Sequence, residues 1–222
     1  MLDDSHAGGE GKGLWLWTIA SGLLLFVMEF ILFAALVPSQ WAREVSAAEL
    51  RSLVHTVGAP TAEVILSRAA GWFDALFIRT GVVSASYHLL IPDPRTPGAG
   101  MAKLADTPFW PWLSGRLDVV WLEIAQACQR VAVVLSWWPF FLILFLAAWG
   151  DGWVRRRIRQ HSFAYASPLV HALALRTILW LGIGAFLLLF VPLALPALGV
   201  PLFGALIAGL LGVAVANTQK RL

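Results

Sequence analysis

The chain has 222 residues, of which 59% are hydrophobic and only 13% charged, with a formal net charge of +3. So small a charged share lies well below the quarter usual in soluble domains and excludes an ordinary soluble fold of this size. The slight basic excess is no signature of nucleic-acid binding, and where the charges fall matters more than their sum.

Residues 1–13 are polar, with Asp3, Asp4 and Glu10 against Lys12. An apolar run follows over 14–37, interrupted only by Glu29, and three more occupy 131–149, 177–195 and 197–216. A helix rises about 1.5 Å per residue and a bilayer core is roughly 30 Å thick, so each run is long enough to cross. The expectation is an all-α, polytopic membrane protein with four transmembrane helices and the lipid bilayer as its first partner. The amino-terminal run has no basic leader and is too long for a signal-peptide core, so it is expected to stay as an anchor.

Between the first two runs lie residues 38–130, in which acids and bases balance. Apolar residues recur at helical spacing from Trp41 to Val57 and again through Val64, Ile65, Ala69, Trp72, Phe73, Leu76 and Phe77. Gly58-Ala59-Pro60-Thr61 separates the two patterns, and Val82-Val83 is expected to continue the second helix. Ile91 to Gly100 is proline- and glycine-rich and reads as a loop. Beyond Thr107-Pro108, one helix is expected from about residue 113 to about 158, bent at Pro139.

The segment 150–176 carries Arg155, Arg156, Arg157, Arg159 and Arg176 against one acid, Asp151. Short arginine-rich loops stay on the cytoplasmic side. This places 150–176, residues 1–13 and the tail 217–222 inside a bacterial cell, and 38–130 outside its inner membrane as a helical periplasmic insertion. Trp15, Trp17, Trp41, Trp149, Trp153 and Trp180 flank the runs, where indoles prefer the headgroup zone. Only Pro196 to Pro201 is left for the turn between the last two runs, and Pro192 should kink the third.

Glu29 is the one ionisable side chain deep within a run, and such a group is costly in lipid unless paired, protonated or solvated. It is expected in an intramembrane contact, with proton coupling as the functional alternative. Gly204, Ala208, Gly212 and Ala216 put a small residue at every fourth position of the last run, a flat face that lets another helix approach closely. That helix is either the chain's own third span or another subunit, so a homo-oligomer stays open. Arg155, Arg156, Arg157 and Arg159 suit anionic lipid or an acidic face of a cytoplasmic partner. The cluster is too short to build a DNA groove alone, so direct nucleic-acid contact is not expected. Trp72, Phe73 and Phe77 are the candidate periplasmic contact.

His6, His55, His88, His161 and His171 have no metal-ligand spacing, and Cys128 is the only cysteine. Phosphate loops, nucleophile elbows and zinc-protease motifs are missing. No metal, cofactor or catalytic residue is expected, and the chain does not read as an enzyme.

Trp149-Gly150-Asp151-Gly152-Trp153-Val154, the arginine run behind it and Phe163-Ala164-Tyr165-Ala166-Ser167-Pro168-Leu169-Val170-His171 carry a family likeness. With one amino-terminal span before them and a closing hairpin after, the chain resembles the membrane proteins of integrating conjugative elements (domain of unknown function 4400). That resemblance implies a place in a conjugative transfer locus, beside a coupling ATPase and a type IV secretion channel, and brings no catalytic residues with it. The expected role is a non-catalytic accessory subunit that binds other membrane components. The alternatives are a small proton-linked transporter or pore using Glu29, and an entry-exclusion factor.

Overall fold

In a computed structural model the described residues are 5–91, 108–162 and 167–218, with side chains described from residue 17 onward. They form helices and no strand. We number the helices α1 (Ser5–Leu36), α2 (Ser39–Val57), α3 (Ala59–Phe73), α4 (Val82–Leu90), α5 (Phe109–Ser136), α6 (Trp138–His161), α7 (Pro168–Leu188) and α8 (Gly199–Ala216). Four helical stretches are long and apolar enough to span a membrane: Trp17–Leu36, α5, α7 and α8. Most of the proline-rich loop, residues 163–166 and the end of the basic tail (219–222) lie outside the described residues.

Side-chain contacts set the helix directions. Gly22 lies against Ile183, and Phe26 meets Phe186 and Phe190 with centroids 5.1 and 4.9 Å apart, so α1 runs parallel to α7. His171 Nδ1 lies 2.8 Å from the Ala214 carbonyl, which pairs the start of α7 with the end of α8 in antiparallel fashion. Phe141 abuts Gly204 and Ala148 abuts Gly212, so α6 runs parallel to α8. Arg116 reaches the last carbonyls of α1, which makes α5 antiparallel to α1. Directions therefore alternate along the chain if α5 and α6 are counted as one strut.

Several expected boundaries differ. The strut is divided at Trp137, where Pro139 offers no N–H to the Leu135 carbonyl and the chain closes instead with Trp137 N to Val134 O at 3.2 Å. The run 131–149 is thus shared between two helices, and length and composition single out α5 in its place. Val82-Val83 begins a new helix: α3 passes through a π-turn at Asp74–Ile78, and Gly81, at φ +77°, breaks the helix in a conformation that favours glycine. The third apolar run is helical from Pro168, with Ser167 as its N-cap, and only to Leu188. Its helix stops four residues before Pro192, the position whose missing N–H would have bonded Leu188. The connection to α8 therefore covers 189–198, longer than the six residues Pro196 to Pro201.

Candidate functional site

Three arginines of the strut close the C-termini of three other helices. The last carbonyls of a helix have no intrahelical donor, and a cation there also meets the negative end of the dipole. Arg116 Nη1 donates to Val37 O at 2.9 Å and Ala35 O at 3.3 Å at the end of α1. Arg159 Nη1 donates to Asn217 Oδ1 at 2.7 Å and Ala216 O at 3.4 Å at the end of α8. Between them, Arg130 caps α7.

Arg130 is the most constrained of the three. Its Nη1 donates to the carbonyls of Leu188, Leu189 and Val191, and its Nη2 to that of Leu193, each at 2.9 Å. Glu49 of α2 takes Nη2 at 2.7 Å and Nε at 3.1 Å. The same carboxylate accepts from Leu195 N at 2.9 Å, Ser52 Oγ accepts from Ala197 N at 3.0 Å, and Trp41 Nε1 donates to Pro192 O at 2.9 Å. Residues 188–197, unable to satisfy themselves around two prolines, are held by α2 and α5. The packing beneath is apolar: Leu53, Ala62, Ile65, Ala69, Ala132 and Ala197 form one buried cluster.

Glu123 and Gln126 complete the polar face of α5. Gln126 Nε2 donates to Glu49 Oε2 at 3.0 Å, and Glu123 Oε1 lies 3.9 Å from Arg130 Nη1. Both residues are only 1% exposed. Arg116, Val119, Glu123, Gln126 and Arg130 recur at three- and four-residue steps on a single helical face, a stripe legible in the sequence. Charge counting over 38–130 treated these residues as a neutral translocated segment, which hid it.

Next to the clamp a groove of about 360 Å³ runs between α2, the strut and the α7–α8 hairpin. Leu53, Leu66, Val133, Phe141 and Phe203 line it, and its polar lining is limited to Glu49, Gln129 and Arg130. With Glu49 and Arg130 bonded to each other and to the hairpin, the walls suit hydrocarbon better than a polar substrate.

The residues singled out from sequence fall as follows. Glu29, in α1, is half-buried within electrostatic reach of Arg130, and its Oε2 has no hydrogen-bond partner among the described residues. Gly204, Ala208, Gly212 and Ala216 face inward, with Gly204 and Gly212 directly against α6; Ala148 and Gly152 form the matching small surface on the strut, which sequence reading did not pair with them. Arg155 pairs with Asp151 at 2.9 Å on the surface, and Arg157 lies over the Trp153 ring at 4.7 Å. Arg156 is likewise engaged, and Arg159 is a helix cap. Phe73 and Phe77 stack with Trp121 of α5 at 6.3 and 5.7 Å, and Trp72 packs on the apolar cluster, so all three turn toward the strut. Val64, Leu76, Ile78 and Leu89 are among the apolar side chains left exposed on that part.

On α4, the Tyr87 hydroxyl donates to Asp118. Burial, followed by that bond and the adjacent negative charge, pushes the phenol up to about 12. Among the described residues no His, Cys, Asp and Glu converge in a metal-holding group.

Residues 33–222 match the family model for DtrJ-like proteins, described as IncC plasmid conjugative DNA transfer proteins. The match covers most of the chain, which therefore belongs to this conjugative DNA transfer family. It bears out the connection with conjugation and does not extend to the integrating-element family named above. No curated protein and no solved structure matches the chain.

Proposed function

We propose that this member of the conjugative DNA transfer family is a non-catalytic, multi-pass inner-membrane subunit that holds other membrane components of the transfer apparatus together. The family match over residues 33–222 carries the reading. The bilayer core is placed around α8, whose 18 residues correspond to about 27 Å of helix, close to the roughly 30 Å hydrocarbon thickness. The companions at that depth are α7, the inner half of α1 and, because Phe141 and Ala148 pack on Gly204 and Gly212, the strut from about Trp138 to Trp153 rather than α5, which length and composition alone single out. Arg155, Arg157 and Arg159 then gather at one face, the cytoplasmic one by the positive-inside rule. The Arg130 clamp, α2, α3 and α4 lie at or beyond the opposite, periplasmic face.

An accessory role fits an interior whose polar groups brace helices and whose groove is apolar. The basic end of α6 offers a surface for an acidic cytoplasmic partner such as the coupling ATPase of a type IV secretion-like apparatus. Leu76, Ile78 and Leu89 offer one for a periplasmic partner or a second copy. The test is to crosslink donor cells during transfer, extract the membrane gently and purify a tagged full chain. The expected result is co-purification of transfer-channel or coupling proteins at fixed ratio. A lone monomer would refute the role, and reduced incoming transfer on expressing the chain in recipients would favour exclusion instead.

A further inference from the structure

The polar face of α5 contains more acceptors than donors. A guanidinium has five N–H groups. Those of Arg130 already serve four backbone carbonyls and both oxygens of Glu49. Nothing remains for Glu123, whose nearer oxygen stays 3.9 Å from Nη1, beyond hydrogen-bond distance. Both Glu123 oxygens, Gln126 Oε1 and Glu29 Oε2 are buried without a donor among the described residues. Gln126 cannot help by turning its amide, because its N–H is needed by Glu49. The charge count is equally unbalanced. Among the described residues, Glu29 from α1, Glu49 from α2 and Glu123 itself face the single cation Arg130, while the α7–α8 connection contributes backbone carbonyls.

We propose that Glu123 is a proton-binding site and that its proton controls the joint between strut and hairpin. A neutral carboxyl supplies the missing O–H donor, and Gln126 Oε1, one turn along the same helix, and Glu29 Oε2, across the α1 interface, are the acceptors awaiting one. In this state Glu123 has no charge with which to draw Arg130 away, and the guanidinium stays on the carbonyls of 188–193. When the proton leaves to water, an unpaired carboxylate appears 3.9 Å from Nη1. A carboxylate is a stronger acceptor than a carbonyl. Nη1 then turns to Glu123, the end of α7 loses its cap, and the hairpin tip loosens from α2 and α5. The proposal adds proton-dependence to the fold and stands whether or not the accessory role holds.

The full-length protein in lipid nanodiscs provides the test. Infrared spectra should show the C=O stretch of a protonated carboxyl at neutral pH, lost in Glu123→Gln and retained in Glu29→Gln and Glu49→Gln. A spin label at Leu193→Cys, in a Cys128→Ser background, should be immobilised at low and neutral pH and gain mobility as pH rises. The Glu123→Gln version should stay immobilised throughout. Should that variant fail to accumulate, Glu123→Asp serves instead, by shifting the frequency of the carboxyl band. The proposal is overturned if no such band exists, if Glu29→Gln removes it while Glu123→Gln or Glu123→Asp leaves it unchanged, or if the label responds to pH identically with Glu123→Gln.

Discussion

Adding one methyl group at Gly152 should separate α6 from α8. The new Cβ would lie 2.6 Å from Gly212 O, 3.0 Å from Val215 Cβ and 3.2 Å from Gly212 Cα. Two of these three atoms are backbone, so no rotamer change relieves the clash and the helices must part by the better part of an ångström. Overpacking of this kind costs about 1–3 kcal/mol. Against it stands the gain of about 0.5–1 kcal/mol from replacing glycine by alanine within a helix. The net expectation for Gly152→Ala is a loss of up to about 2 kcal/mol. Gly150 supplies the control, two residues earlier on the same helix with nothing within 4 Å of its would-be Cβ. Gly150→Ala keeps the helix gain without the clash, so the two variants should differ by the overpacking cost itself, about 1–3 kcal/mol. Reversible unfolding in mixed micelles, followed by tryptophan fluorescence, measures the difference. Equal stability, or a more stable Gly152→Ala, would refute the close α6–α8 contact.

Other perturbations address the caps and the Tyr87 phenol on α4. Arg130→Met leaves Glu49 without its cation and the end of α7 uncapped, and should cost about 3–5 kcal/mol in the same unfolding assay; Arg130→Lys should restore only part, because an ammonium cannot reproduce the fork. Arg159→Ala should expose amides at the end of α8 to hydrogen exchange, whereas Arg155→Ala, removing an exposed pair, should change stability by less than about 1 kcal/mol. Tyr87 should ionise near pH 12 instead of 10. Its folded value is the raised one, so its contribution is fully present below pH 10 and is lost as pH climbs toward 12. In Tyr165→Phe it is the only tyrosine, and its phenolate absorbance reports the midpoint directly; a midpoint at the ordinary phenol value would contradict the Asp118 contact.

How far the arrangement was readable from residue order differs element by element. The helix over Ser39–Val57 and the glycine after it followed from spacing and a local turn signal. The flat face on α8 was visible too, but its partner was not. Small residues announce that something can come close, and nothing in the spacing distinguishes α6 from α7 as the occupant. The end of α7 was misplaced because hydropathy does not fall at Leu188; the missing N–H of Pro192 ends the helix without changing polarity.

Apolar length and the position of the arginine run were decided within the chain's own order, because lipid responds to hydrophobic length and the translocation cost to local charge. Those properties pointed to an all-helical chain with four stretches long and apolar enough to span and to an expected orientation, although the second stretch falls on α5 and not on 131–149. Only the tertiary structure decided that Arg116, Arg130 and Arg159 cap three helix ends, and that Glu49, far away in sequence, completes the middle one. A carbonyl freed by a proline can be satisfied by any donor that reaches it, and reach is a property of packed helices rather than of spacing along them.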